Sequence, residues 1–184
     1  TEIPAILQST RRFLSGKNVL DCGTSKGPFE AVLQEIAQEA SVCSTHPLVR
    51  SETPTRGQNV LIMPVGSNPE PATQVAENLY QALEMRLHRF DFSRHGNFMS
   101  IVQFLPHVVQ RTLIEVLGRV LEDQKLTLAN ITPVAPVNFG MAEMFMGRGA
   151  IQREDVPAGI IAEAMRSPLG KRIYSIICDT LKHI

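Results

Sequence analysis

Several features are scarce in this sequence, and each scarcity closes off a class of protein. No apolar run approaches the ~20 residues that a membrane-spanning helix needs. Lysine plus arginine and aspartate plus glutamate stand at 18 each, so neither a disordered charged tail nor a strongly basic nucleic-acid coat is indicated. The three cysteines, Cys22, Cys43 and Cys178, are scattered and show no metal-ligand spacing. That argues against a disulfide framework or a zinc site, and for a reducing compartment. The opening TEIPAILQSTRRFL lacks the order of a secretory signal. No repeat, low-complexity tract or linker divides the chain. The expectation is a cytoplasmic protein without metal or membrane partner, folded as a single domain over 1–184.

What is present is an alternation of apolar bursts and amphipathic stretches. Residues 4–14 read as a short helix, and Val19-Leu20 as a strand ending in Asp21-Cys22-Gly23. Pro28 suits the first turn of a helix, where its missing N–H costs nothing, and Phe29, Val32, Leu33, Ile36 and Ala37 follow at helical spacing. Ser41-Val42-Cys43 reads as a short second strand. Residues 44–57, with Pro47, Pro54, Gly57 and several Ser and Thr, read as a long loop. Val60 to Met63 is a buried strand stopped by Pro64, and Val75, Leu79, Leu83 and Leu87 mark the apolar stripe of a helix over 72–88. Phe98 to Leu105 reads as a further strand, 107–124 as a helix, and Leu126–Ile131 with Met141–Met146 as an antiparallel pair. One or two closing helices start near Pro157 and Pro168. This order predicts an α/β, Rossmann-like fold: a mostly parallel sheet, helices on both faces, an antiparallel strand near one edge, and C-terminal helices over about 156–183.

The segment Val19-Leu20-Asp21-Cys22-Gly23-Thr24-Ser25-Lys26-Gly27 carries the most specific signal. Glycine at 23 permits a sharp turn with no side chain over a ligand, and glycine at 27 lets the next helix start close to the strand. The run resembles motif I of the class I S-adenosylmethionine-dependent methyltransferases, apolar–apolar–Asp–x–Gly–x–Gly–x–Gly, with Ser25 in place of the middle glycine. The element order over about 15–148 is similar to the FtsJ-type and viral cap ribose-2′-O RNA methyltransferases. That resemblance implies S-adenosylmethionine held by Asp21, Cys22, Gly23, Thr24, Ser25, Gly27 and Pro64, with Glu143 as the matching catalytic glutamate. The catalytic Asp and Lys of that family are missing around Met63-Pro64-Val65 and Val102-Gln103.

The resemblance therefore implies either an impaired RNA methyltransferase or a non-catalytic domain of that type binding RNA or a protein partner, within a larger parent chain or alone. A third reading takes Cys22, at a strand–helix junction, as a nucleophile for acyl transfer with His95. His46 and His107 each stand beside a proline after a strand and face the ligand end of the sheet, although capping or surface placement is the commoner role. Arg86, His88, Arg89, Arg94 and His95, with Phe90 and Phe92, read as a solvated basic turn at the amino ends of the strands.

Overall fold

A computed structural model describes residues 3–49, 52–150 and 155–183. It divides into two compact units, Thr1–Gly96 and Asn97–Ile184. The first unit is α/β. Helix α1 (Ile3–Thr10) precedes strand β1 (Asn18–Asp21), and helix α2 (Glu30–Ile36) crosses to β2 (Ser41–Pro47). Strand β3 (Asn59–Val65) follows, and helix α3 (Glu70–Ala82) crosses to β4 (Arg86–Arg89). The sheet order is β1-β2-β3-β4. Strands β1 and β2 are parallel, as are β3 and β4, and the antiparallel pairing joins the two central strands. The α/β class and the mostly parallel sheet are as the sequence indicates, but the antiparallel pairing lies between the central strands rather than near an edge.

Strand β2 is longer than its apolar start suggested. Ser44, Thr45 and His46 continue it in full burial, in register with Met63, Ile62 and Leu61 of β3. A polar run can occupy a central strand when every group finds a partner. Successive side chains of a strand point to opposite faces. Cys43 packs in the apolar core with Val60, Ile62, Ala72, Ala76 and Tyr80, and Thr45 bonds the Tyr80 hydroxyl, so these two residues face α3. Ser44 and His46 take the other face.

Helix α3 buries Ala72, Thr73, Ala76 and Tyr80, whereas Val75, Leu79 and Leu83 are exposed. The small residues, rather than the leucine stripe, meet the sheet, because alanine lets a helix approach a strand closely. The expected helix over 72–88 ends at Ala82, and Arg86–Arg89 forms β4. Pro64 lies within β3 opposite Cys43, beyond Ile62 where the β4 pairing ends, so it sits where β3 has a neighbour on one side only. Gly66 follows with φ +83°, and a Cβ there would stand 2.5 Å from the Ala37 Cβ. Gly66→Ala combines a left-handed backbone with overpacking, and should destabilise the unit by about 2 kcal/mol, read as a lower urea midpoint at unchanged slope.

The second unit is helical among its described residues. Helix α4 (His95–Met99) starts in the first unit, a π-helical turn spans Ser100–Phe104, and α5 runs over Leu105–Asp123. The short α6 (Leu128–Ile131) precedes α7 (Val137–Ala150), α8 (Asp155–Ala164) and α9 (Pro168–Leu181). The strands expected over 98–105, 126–131 and 141–146 are therefore helical; short apolar runs have no period that separates a buried strand from a buried helix. Phe104, Val108 and Ala164 form the core here, with Ile160, Ile161, Met165, Ile173 and Ile177 against it. The two closing helices arrive where Pro157 and Pro168 mark them.

Candidate functional site

The site is assembled in the first unit from the loop after β1, the exposed-to-buried transition of that loop at Lys26, and the second half of β2. Asp21 ends β1 in register with Ser44. Its Oδ2 accepts from Lys26 Nζ at 2.6 Å and from Ser44 Oγ at 2.7 Å, and its Oδ1 accepts from the Gly23 N–H at 2.9 Å. A Cβ on Gly23 would stand 3.1 Å from that same Oδ1 and 3.3 Å from the Phe29 ring, so glycine lets the carboxylate cap the turn. Lys26 is only 3% exposed and also donates to the Thr45 carbonyl at 2.9 Å. Burial pushes its ammonium pKa down, and Asp21 opposes that shift. Thr45 Oγ1 donates to the Asp21 carbonyl at 3.0 Å and shares a 2.9 Å bond with the Tyr80 hydroxyl, whose pKa burial raises.

Beside this cluster lies a pair of histidines. His46 Nδ1 and His95 Nε2 are 2.9 Å apart, with ring centroids at 5.1 Å and planes tilted by 58°. Each residue is 2% exposed. Burial is the main cause of a depressed pKa in both; the Lys26 charge adds to it and Asp21 opposes it. His46 falls to about 4 and His95, further lowered by His46, to about 3. Both imidazoles are neutral at pH 7, and the pair keeps one ring nitrogen of His46, Nε2, outside the mutual bond. A buried neutral imidazole at the carboxyl end of a strand is a proton acceptor in position.

The structure brings together only some of the residues singled out by sequence. Asp21 and Gly23 lie in the cluster; Cys22, Thr24 and Gly27 are exposed on the same loop, and Ser25 is half-buried. Pro64 is not with them. It sits inside β3, and because β2 and β3 are antiparallel the chain leaves β3 at the opposite end of the sheet from the loop after β1. Glu143 lies on α7, where it accepts from Thr132 Oγ1, rather than on a strand. His95 meets His46 rather than Cys22, which removes the partner the acyl-transfer reading required. The basic turn is likewise redistributed: Arg89 pairs with Glu70 and Glu77, His88 bonds Asn59, and Phe92 is buried. Lys26 stood in the quoted motif without a role; its signal was a lysine five residues after an aspartate at a strand end. No group of three or more His, Cys, Asp or Glu among the described residues could hold a metal, and no described helix is long and apolar enough to cross a membrane.

No protein-family model and no curated protein matches the sequence. Solved structures do. A chain assigned as a prephenate dehydrogenase from Corynebacterium glutamicum superposes with TM-score 0.70 at 12% identity, covering 98% of this chain and 58% of its own. Synechocystis arogenate dehydrogenase gives 0.67 at 15%, covering 99% and 66%. Prephenate dehydrogenase from Aquifex aeolicus, in complex with hydroxyphenyl propionate and NAD+, gives 0.53 at 14%, covering 100% and 73%. This chain thus spans less than two thirds of the first two. These neighbours overturn the methyltransferase reading, with its S-adenosylmethionine cofactor and RNA 2′-O-methyl transfer, because the solved chains that share the architecture are dehydrogenases and one carries NAD+. Motif I misled for a physical reason: a strand, a glycine turn and a helix start place the same demands on sequence in either fold. The shared architecture is that of the prephenate and arogenate dehydrogenases.

Proposed function

We propose that this chain is a dehydrogenase-like domain and that it supplies the proton-accepting side of an alcohol oxidation whose hydride passes to a nicotinamide nucleotide that the loop after β1 does not itself hold. The observation that carries this is His46: a buried, neutral imidazole on a fold shared with dehydrogenases, its Nδ1 bonded to His95 and its Nε2 outside that bond. Oxidation of a hydroxyl releases a proton as the hydride departs, and a base within hydrogen-bond reach lowers that barrier. Asp21 and Lys26 fix the loop beside it. At 2% exposure the ring reaches a substrate only when the residues over it are displaced.

The loop after β1 does not fit the pyrophosphate of a dinucleotide. The fingerprint G-x-G-x-x-G is not among the 184 residues. The Gly23 N–H is taken by Asp21, the Phe29 N–H by the Lys26 carbonyl, and Pro28 brings no donor to the start of the following turn. Lys26 points inward to Asp21 and Thr45. No step is therefore routed through NAD by these residues.

Calorimetric titration of the chain with prephenate, arogenate and hydroxyphenyl propionate tests the reading. At least one should bind more tightly than about 1 mM, and His46→Asn should weaken it roughly tenfold, the worth of one well-placed hydrogen bond. NAD+ alone should give no saturable heat in the same range. Absence of binding by all three carboxylates, or binding indifferent to His46→Asn, sinks the proposal. The near-complete burial of both rings favours a second reading, in which the pair is a packed structural element; none of the three carboxylates then gives saturable heat.

A further inference from the structure

Resting on the reading of His46 as a proton acceptor, we propose that His95 is a positioning residue that holds His46 in its Nδ1–H tautomer and so keeps Nε2 available as the accepting atom. A neutral imidazole carries one N–H, and which nitrogen bears it is set by the partner of the other. Between His46 Nδ1 and His95 Nε2 only one hydrogen fits at 2.9 Å. If His95 donates, His46 must carry its proton on Nε2 and can only donate there. If His95 accepts, His46 carries its proton on Nδ1 and its Nε2 lone pair is open.

The second arrangement is also the one that survives proton uptake. A doubly protonated His46 donates from both nitrogens, so His95 Nε2 must then be an acceptor and His95 must hold its own proton on Nδ1. The bond already runs that way in the accepting tautomer, and uptake at Nε2 needs no reorganisation of the pair. The charged groups that act on both rings are Lys26, which disfavours that proton, and Asp21, which favours it. The proton taken up stays on His46 until it leaves by the same atom, so the proton transfer itself requires no further acceptor.

Uniformly 15N-histidine-labelled chain, observed through two-bond proton–nitrogen correlations, reads the tautomer directly. The five histidines are distinguished by the loss of one pattern in His46→Asn and another in His95→Gln. In the unsubstituted chain His46 should show the Nδ1–H pattern and His95 likewise. His95→Gln, whose amide oxygen can accept from Nδ1–H, should retain it for His46. His95→Phe, which keeps a ring and removes the acceptor, should convert His46 to the Nε2–H form or a mixture. An Nε2–H His46 in the unsubstituted chain, or a His46 pattern indifferent to His95→Phe, overturns the assignment. Should His95→Phe fail to fold, the unsubstituted and His95→Gln spectra still decide it. These spectra need no substrate, so a failed carboxylate titration beside an Nδ1–H His46 indicts the proposed function alone.

Discussion

Asp21→Ala is expected to destabilise the first unit by about 3–5 kcal/mol, the cost of removing one member of a buried ion pair. The Lys26 and Asp21 side chains are 4% and 11% exposed, and among the described residues the carboxylate is the only anion bonded to the ammonium. Without it, Lys26 retains the Thr45 carbonyl alone, and Ser44 Oγ and the Gly23 N–H lose their acceptor. The double variant Asp21→Ala with Lys26→Met should recover most of the loss, because a neutral side chain of similar length does not carry a charge into the interior. The sign of the pH dependence separates this cause from simple loss of packing. Lys26 has a folded pKa below its unfolded 10.5, so between those values the unfolded chain binds the extra proton and stability rises with pH. That rise should begin at lower pH in Asp21→Ala, since the group that raised the Lys26 pKa is gone. Urea unfolding followed on β2 amide resonances measures both. A single variant within about 1 kcal/mol of the parent would show that the pair contributes no more than a surface bridge does.

The elements legible in the sequence are those whose apolar spacing and bounding Gly or Pro agree on one type: strand β1, helix α5 and the closing helices α8 and α9, as well as the glycine turn that positions Asp21. That spacing fixes their type and not their burial, since Val109, Val116 and Val120 of α5 stay exposed. Where the sequence misled, polarity and burial were decoupled. Ser44, Thr45 and His46 look like loop, and only Asp21, Tyr80 and His95, which are distant in sequence, make their burial affordable in hydrogen bonds. Arg86–Arg89 looks like the end of a charged helix, yet its strand pairing to Asn59–Ile62 is set by β3. The direction of β3 could not be read either. An apolar strand gives the same pattern in both directions, and the antiparallel choice moved Pro64 and Gly66 away from the loop after β1. His46 was visible as a histidine beside a proline at a strand end, but its partner lies 49 residues later in a stretch whose Arg and His content suggests solvent.

Acid should unfold the first unit through the histidine pair before its carboxylates are protonated. His46 has a folded pKa of about 4 against 6.5 for the free side chain, so its neutral form is the one the fold tolerates. Above pH 6.5 neither state binds the proton and the stability is fully present. As pH falls through 6.5 the unfolded chain takes up a proton that the folded chain refuses, and stability is lost until about pH 4, where both states are protonated. For His46 alone the loss amounts to about 2 kcal/mol at pH 5 and about 3 kcal/mol across the window. His95 is pushed lower still, in part by His46 itself, so the pair shares one first proton and the two losses do not simply add. The window between pH 6.5 and 5 lies above the ordinary range of Asp and Glu, which isolates the imidazoles. The variant His46→Asn with His95→Gln removes both titrating rings while keeping hydrogen-bonding side chains. Urea midpoints at pH 6.5, 5.5 and 5.0 should fall steeply for the parent and weakly for the variant. Parallel lines would mean that the folded chain takes up these protons as readily as the unfolded one, and that burial does not hold the imidazoles neutral through this window.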